Sequence, residues 1–229
     1  MSIWAISDLH LSFDEKGILQ KPMDSLNSLW YEHTKIIEKN WRKNILPHDT
    51  VLICGDISWA MDLEEGKYDF DWLKNLPGKK IISKGNHDYW WKSLAKVEHY
   101  FNKEITALQN NAVLCENYAI CATRGWDFPK DNDEKSQKIF NRELMRLELS
   151  LKKGLSYNKD MILMLHYPPF NEKIEENPIT KLLKNYPVKK CIFGHLHEKN
   201  ILEETFVFDG ITYDLVSADR LNFNPIQIS

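Results

Sequence analysis

The sequence predicts an α/β fold of two packed sheets with helices outside, and three observations predict it. Short apolar runs of strand length alternate with stretches of helical periodicity along most of the chain. A length of 229 residues with 43% hydrophobic content suffices for one large core, so residues 1–229 are expected to form a single domain. Five clusters rich in Asp, Asn and His follow strand-like runs, which places them along one carboxyl edge.

The elements follow in order. Ile3 to Ser7 reads as the first strand. Asp24 or Ser25 can cap a helix running to about Asn44, with Leu26, Leu29, Trp30, His33, Ile36, Ile37 and Trp41 on one face. That spacing makes His33 a helix-face residue rather than a ligand. Val51–Cys54 forms a strand ending at Gly55-Asp56, a helix spans Asp62–Lys74, and Lys80–Ser83 leads into Gly85-Asn86-His87-Asp88. Trp91–Phe101 is helical again. Ala112–Glu116 and Tyr118–Ala122 form a hairpin. A long helix spans Asp133–Lys153, started by the capping cluster Asp131-Asn132-Asp133 and closed at Gly154. Met161–Leu165 delivers His166, and Cys191–Phe193 delivers Gly194-His195-Leu196-His197. A hairpin of Ile201–Phe208 and Ile211–Val216, turned at Asp209-Gly210, closes the chain.

Composition excludes several classes. A formal charge of −3 leaves no excess of Lys and Arg to neutralise nucleic-acid phosphates. No apolar stretch approaches the roughly 20 residues that cross a bilayer. The start, Met1-Ser2-Ile3-Trp4, enters a strand without a basic, signal-like segment, so a cytoplasmic location is expected. Cys54, Cys115, Cys121 and Cys191 lie in or beside apolar runs with no Cys-x-x-Cys spacing. Buried free thiols are expected, as in a reducing compartment.

The clusters carry the chemistry: Asp8-Leu9-His10, Gly55-Asp56, Gly85-Asn86-His87-Asp88, His166, and His195-Leu196-His197. Divalent cations of intermediate hardness accept carboxylate, amide oxygen and imidazole together. Residues two apart on a strand point to one face, so Asp8 and His10, or His195 and His197, reach the same site. Asp56 stands alone after a glycine, free to bridge two ions, and Asn86 offers a neutral carbonyl oxygen. The pattern reads as a site for two metal ions that activate water for hydrolysis.

In these motifs and their order the chain resembles the calcineurin-like metallophosphoesterases, whose pattern is Asp-x-His, Gly-Asp, Gly-Asn-His-Asp/Glu, His and Gly-His-x-His. The match covers Asp8 to His197. The resemblance implies a four-layer αββα sandwich of two mixed β-sheets flanked by helices. It implies two divalent ions (Mn, Fe, Zn or Co): one on Asp8, His10, Asp56 and His197, the other on Asp56, Asn86, His166 and His195. His87 would stabilise the transition state or protonate the leaving oxygen. The implied reaction is in-line attack of hydroxide, held by both metals, on a small phosphomonoester or phosphodiester. The alternative is a non-catalytic scaffold on the same fold; every ligand position is filled here, which favours the enzyme.

One departure stands out. Protein phosphatases of this superfamily carry Gly-Asp-x-x-Asp-Arg-Gly, whereas here Trp59 and Ala60 occupy the Asp and Arg positions. Protein phosphatase activity of that type is disfavoured. Asp88 and Asp62 are then the candidate partners of His87, and Arg124, after a strand, is the candidate phosphate-gripping group; a plain ion pair with Asp127 or another carboxylate is its alternative. Trp59, Trp90, Trp91 and Trp126 lie near motif loops and could wall a planar or apolar leaving group or merely pack behind it, while Trp4, Trp30, Trp41 and Trp72 read as core.

Overall fold

The computed structural model describes every residue except 22, 26, 131, 172 and 198–202. The expectations for Leu26, Asp131 and Ile201 therefore lie outside the described residues.

The first half builds one sheet. Strands β1 (Ile3–Ile6), β2 (Thr50–Ile53), β3 (Lys79–Ser83) and β4 (Ile105–Leu108) run parallel in that order, with β11 (Ile226–Gln227) antiparallel outside β1. Helices α1 (His33–Asn44), α2 (Lys67–Asn75) and α3 (Leu94–Phe101) connect them. The second sheet has the order β5 (Asn111–Cys115), β6 (Tyr118–Ala122), β7 (Asp160–Met164), β8 (Val188–Phe193), β10 (Ile211–Leu215), β9 (Thr205–Phe208), with antiparallel strands at both edges. Helices α4 (Glu134–Leu155) and α5 (Pro178–Leu183) belong to this half.

Strand alternation makes four layers from these parts. Ile3, Ala5, Leu52, Cys54, Ile81, Ile120, Ala122, Ile162, Met164 and Ile192 form a buried cluster drawn from both sheets. The neighbours on the opposite strand faces, such as Ile6, Val51 and Ile53, pack with Ile37, Trp41, Phe70 and Phe101 of the helices. Cys121, Leu163 and Cys191 do the same with Phe140, Leu147 and Leu151 of α4. Both faces of the central strands are thus apolar, which is the signature of sheets covered on both sides. The two mixed sheets flanked by helices match the expected sandwich.

Several boundaries moved for local reasons. The helix expected from residue 24 begins only at His33. Before it, two short 3-10 turns intervene, the second capped by the Asn27 side chain on Leu29 N (2.9 Å), and Glu32 at φ 52° breaks the run. Asp62 starts a turn by accepting from Glu64 N and Glu65 N, so α2 is shorter than expected. Likewise Ser93 caps α3 and Asp133 caps α4. Gly154 lies inside α4 rather than ending it: a Cβ there would overlap Cys121 Sγ. Strands β4 and β11 and helix α5 were not placed from the sequence.

All four cysteines are free, and no helix among the described residues is long and apolar enough to cross a membrane.

A buried acid ties two loops beside the carboxyl edge. Asp69 of α2 accepts from Phe13 N (2.6 Å) and from the Ser58 hydroxyl, and burial pushes its carboxyl up to about 6. Because the folded value lies above the ordinary one, the stabilising acid form is fully present below pH ~4 and is lost as pH rises through ~6. Two pH units correspond to roughly 2–3 kcal/mol. Relative to wild type, Asp69→Asn should therefore gain about that much stability between pH 4 and pH 7 in thermal or urea melts. A stability difference independent of pH would refute the assignment.

Candidate metal centre

Six strand ends converge here. Beyond β1, the chain continues in register with the segment after β2: Asp8 N bonds Gly55 O (3.0 Å), His10 N bonds Asp56 O (3.0 Å) and Leu11 N bonds Ile57 O (2.9 Å). These turns carry an unusual backbone. Asp8 (φ 59°), His10 (φ 46°), Asp56 (φ 50°) and His195 (φ 71°) are all left-handed, a conformation side chains rarely adopt. Each costs on the order of 1–3 kcal/mol, which the surrounding bonds must hold. Four of the seven candidate ligands share this strain, and strain of that kind gathers at functional sites.

Three glycines permit the close approach: a Cβ on Gly55, itself at φ 93°, would overlap the Gly85 backbone. A Cβ on Gly85 would overlap the Asp56 carboxylate and backbone nitrogen, and one on Gly194 would overlap the Ser7 hydroxyl and the Asp8 carboxylate. Glycine is the one residue that lets these loops touch.

All seven predicted ligands come together. His10 Nε2 lies 3.4 Å from His197 Nε2, which lies 3.7 Å from Asp8 Oδ1. Asp56 Oδ2 lies 4.0 Å from His10 Nε2 and 3.4 Å from His166 Nε2, facing imidazoles of both halves. Asn86 Oδ1 lies 2.5 Å from His166 Nε2 and 3.0 Å from His195 Nδ1. Asp8, His10 and His197 offer donor atoms within 4.8 Å of one another, and so do Asp8, Asp56 and His166. The rings are held from behind. His166 Nδ1 meets Cys54 O at 2.9 Å and His197 Nδ1 meets Asp219 Oδ1 at 3.0 Å, leaving both Nε2 atoms turned inward.

The electrostatics fit cations. Asp8 and Asp56 are essentially unexposed, and among the described residues their ion partners are histidines alone. Burial, with Asp8 and Asp88 nearby, pushes Asp56 up to about 9. Burial likewise pulls His166 down to about 4 and His10 well below the usual imidazole range. Neutral imidazoles with inward lone pairs, beside carboxylates that have no Lys or Arg partner among the described residues, form a donor set that divalent metal ions satisfy.

The remaining expectations divide. Asp88, expected beside His87, is occupied elsewhere: its buried carboxylate accepts from Gly85 N (2.7 Å), Ile57 N (2.9 Å), Asp56 N (3.0 Å), Ser58 N (3.3 Å) and Trp90 Nε1 (3.0 Å). It clamps two loops together and makes no hydrogen bond with the His87 ring. Asp62 caps a turn instead. The His87 ring leans on Trp59 (centroids 4.4 Å apart), which also stacks on His10 at 5.0 Å. Trp59 further lines a cavity of ≈ 290 Å³ with Phe13, Asp14, Lys21 and Tyr68. The Arg124 guanidinium lies over Trp126 at 4.8 Å and 3.9 Å from Glu143 Oε1, not from Asp127, while its carbonyl accepts from His166 N and Tyr167 N. Trp90 and Trp91 are buried, so only Trp59 and Trp126 of the four can border a substrate.

Three groups escaped the sequence. Asp219 follows β10 as the other acids follow their strands, a signal without a motif to flag it. Trp30, read as core, meets His10 and His197 edge-on at 5.7 and 5.6 Å. His33 is a helix-face residue as expected, yet its Nε2 reaches Leu9 O at 3.1 Å and props the Asp8–His10 turn.

The sequence model for calcineurin-like phosphoesterases matches residues 1–199. No curated protein matches the chain significantly. Among solved structures, a phosphopantetheinyl hydrolase from Mycobacterium tuberculosis superposes with TM-score 0.57 at 16% identity, over 94% of this chain and 88% of that one. A protein of unknown function from Aquifex aeolicus gives TM-score 0.52 at 17% identity, over 99% and 95%. A Thermus thermophilus protein gives TM-score 0.53 at 11% identity, over 98% and 96%. At such identities the likeness concerns the fold.

Proposed function

The chain belongs to the calcineurin-like phosphoesterase family, and from that premise we propose that it hydrolyses a small phosphomonoester or phosphodiester at a centre of two divalent ions. The observation that carries the reading is the buried Asp56 carboxylate, which faces His10 and His166 and has no Lys or Arg partner among the described residues.

Asp8, His10, Asp56 and His197 would hold one ion; Asp56, Asn86, His166 and His195 the other. Such a pair supplies Lewis acidity, lowering the pKa of water toward ~7 and offsetting charge on phosphate oxygens. The protein does the positioning. Asp219 and the Cys54 carbonyl aim two of the imidazoles. The Asp88 clamp keeps the β2 and β3 loops in contact. His87, at the rim beside Trp59, assists the leaving oxygen, and the cavity next to Trp59 has room for the leaving group. Domain 1–229 would work as one unit in the cytoplasm, in keeping with its four free thiols.

Arg124 is the group proposed to grip the phosphate, with Glu143 and Trp126 steadying its fork. Arg124→Ala should raise KM by about tenfold with bound metal unchanged, a loss of roughly 1.4 kcal/mol. An unaltered KM removes Arg124 from the site.

The test is a panel of phosphomonoesters and phosphodiesters, including a phosphopantetheinyl ester, assayed after Mn reconstitution. Turnover that follows metal content supports the reading. Metal-independent turnover shared by the Asp56→Asn variant marks a contaminant, and no turnover of any ester supports the scaffold instead.

A further inference from the structure

His87 is held on one side and open on the other. Its Nδ1 lies 3.5 Å from the Tyr89 hydroxyl, and the turn that presents both side chains is closed by Tyr89 N donating to His87 O at 2.8 Å. Asp88, between them in sequence, is fully engaged by the loops. Trp59 packs against the ring, with centroids 4.4 Å apart. Among the described residues no protein group bonds His87 Nε2.

The identity of the Nδ1 neighbour decides where the ring's proton sits. A carboxylate only accepts, so beside one the neutral ring must carry its hydrogen on Nδ1. A tyrosine hydroxyl can also donate. Given a donor at Nδ1, that nitrogen is left bare and the single proton resides on Nε2. The ring then offers an N–H at its open edge while uncharged.

We propose that Tyr89 is the positioning residue of His87: its hydroxyl donates to Nδ1 and holds the neutral ring in the Nε2–H tautomer, ready to donate a hydrogen bond to the leaving oxygen. This rests on the phosphoesterase reading for the identity of the acceptor. The ring stabilises charge there, and no proton leaves it. Oxygens that depart with concentrated charge, as alkoxides do, need that bond most; a nitrophenolate spreads its charge and needs it least.

Two measurements test the assignment. In the zinc-loaded protein at a pH where the ring is neutral, nitrogen-15 NMR should show His87 Nδ1 without hydrogen and Nε2 bearing it. In Tyr89→Phe, which keeps the half-exposed ring, the two tautomers should mix. In kinetics, Tyr89→Phe should lower kcat for an alkyl phosphate about tenfold, part of the roughly 10²–10⁴ available from a positioned donor or acid. Nitrophenyl phosphate should change by less than about twofold, KM should hold, and the variant should cost nothing further in a His87→Ala background. A wild-type proton on Nδ1, a tautomer indifferent to Tyr89→Phe, or equal losses for both leaving groups overturns the proposal. Wild-type protein inactive on every ester defeats the phosphoesterase reading separately, since the NMR result stands on its own.

Discussion

Asp56→Asn is expected to lower turnover by about three orders of magnitude or more and to drop bound metal below two ions per chain, because several kcal/mol of Lewis-acid stabilisation depend on that carboxylate. The substitution is clean. Asparagine keeps an Oδ1 to accept from His87 N, a bond of 2.8 Å in the native chain, so the loop stays built. What it removes is the charge at Oδ2, the atom facing His10 and His166. The folded apo-variant should be no less stable than the apo wild type, since burial already disfavours the Asp56 anion. Elemental analysis beside steady-state rates checks both halves. Two ions retained per chain with a rate within tenfold of wild type would end the two-metal reading.

Gly85→Ala should be among the most damaging changes of a single methyl group. Its Cβ would overlap the Asp56 carboxylate and backbone nitrogen, neither of which is the free end of a flexible side chain. Gly85 N also feeds the Asp88 clamp at 2.7 Å, so pushing the loops apart breaks that network as well. A loss of about 3 kcal/mol or more is expected, the range of overpacking combined with a broken buried network. Metal affinity should fall with it. Urea melts with and without added Mn measure both, and a loss below about 1 kcal/mol with unchanged Mn binding would show that the two loops do not depend on that contact.

Much of the site was legible because its chemistry repeats a local signal. Each of Asp8, Asp56, Asn86, His166 and His195 follows an apolar run, and in each of the two sheets the parallel strands bring their carboxyl ends to one edge, where the two edges meet. Asp219 obeys the same rule after β10 but belongs to no short motif. Asp88 misled for the opposite reason: adjacency to His87 suggests partnership, yet in a tight turn consecutive side chains diverge, and its oxygens went to five loop donors. Helix starts misread at residues 24, 62 and 91 reflect polar side chains (Asn27, Asp62, Ser93) capping turns that periodicity alone runs through.

By itself the sequence determined the two packed sheets, through apolar runs of strand length alternating with helical periodicity, and the donor types a metal could use, since residue chemistry is local. The tertiary structure alone decided which nitrogens face inward, that Asp219 rather than a motif residue orients His197, that Arg124 answers to Glu143, and that Tyr89 is the group beside His87. Those choices depend on distances between segments far apart in the chain, and such distances are set only when burial forces both sheets and their loops into one packed arrangement.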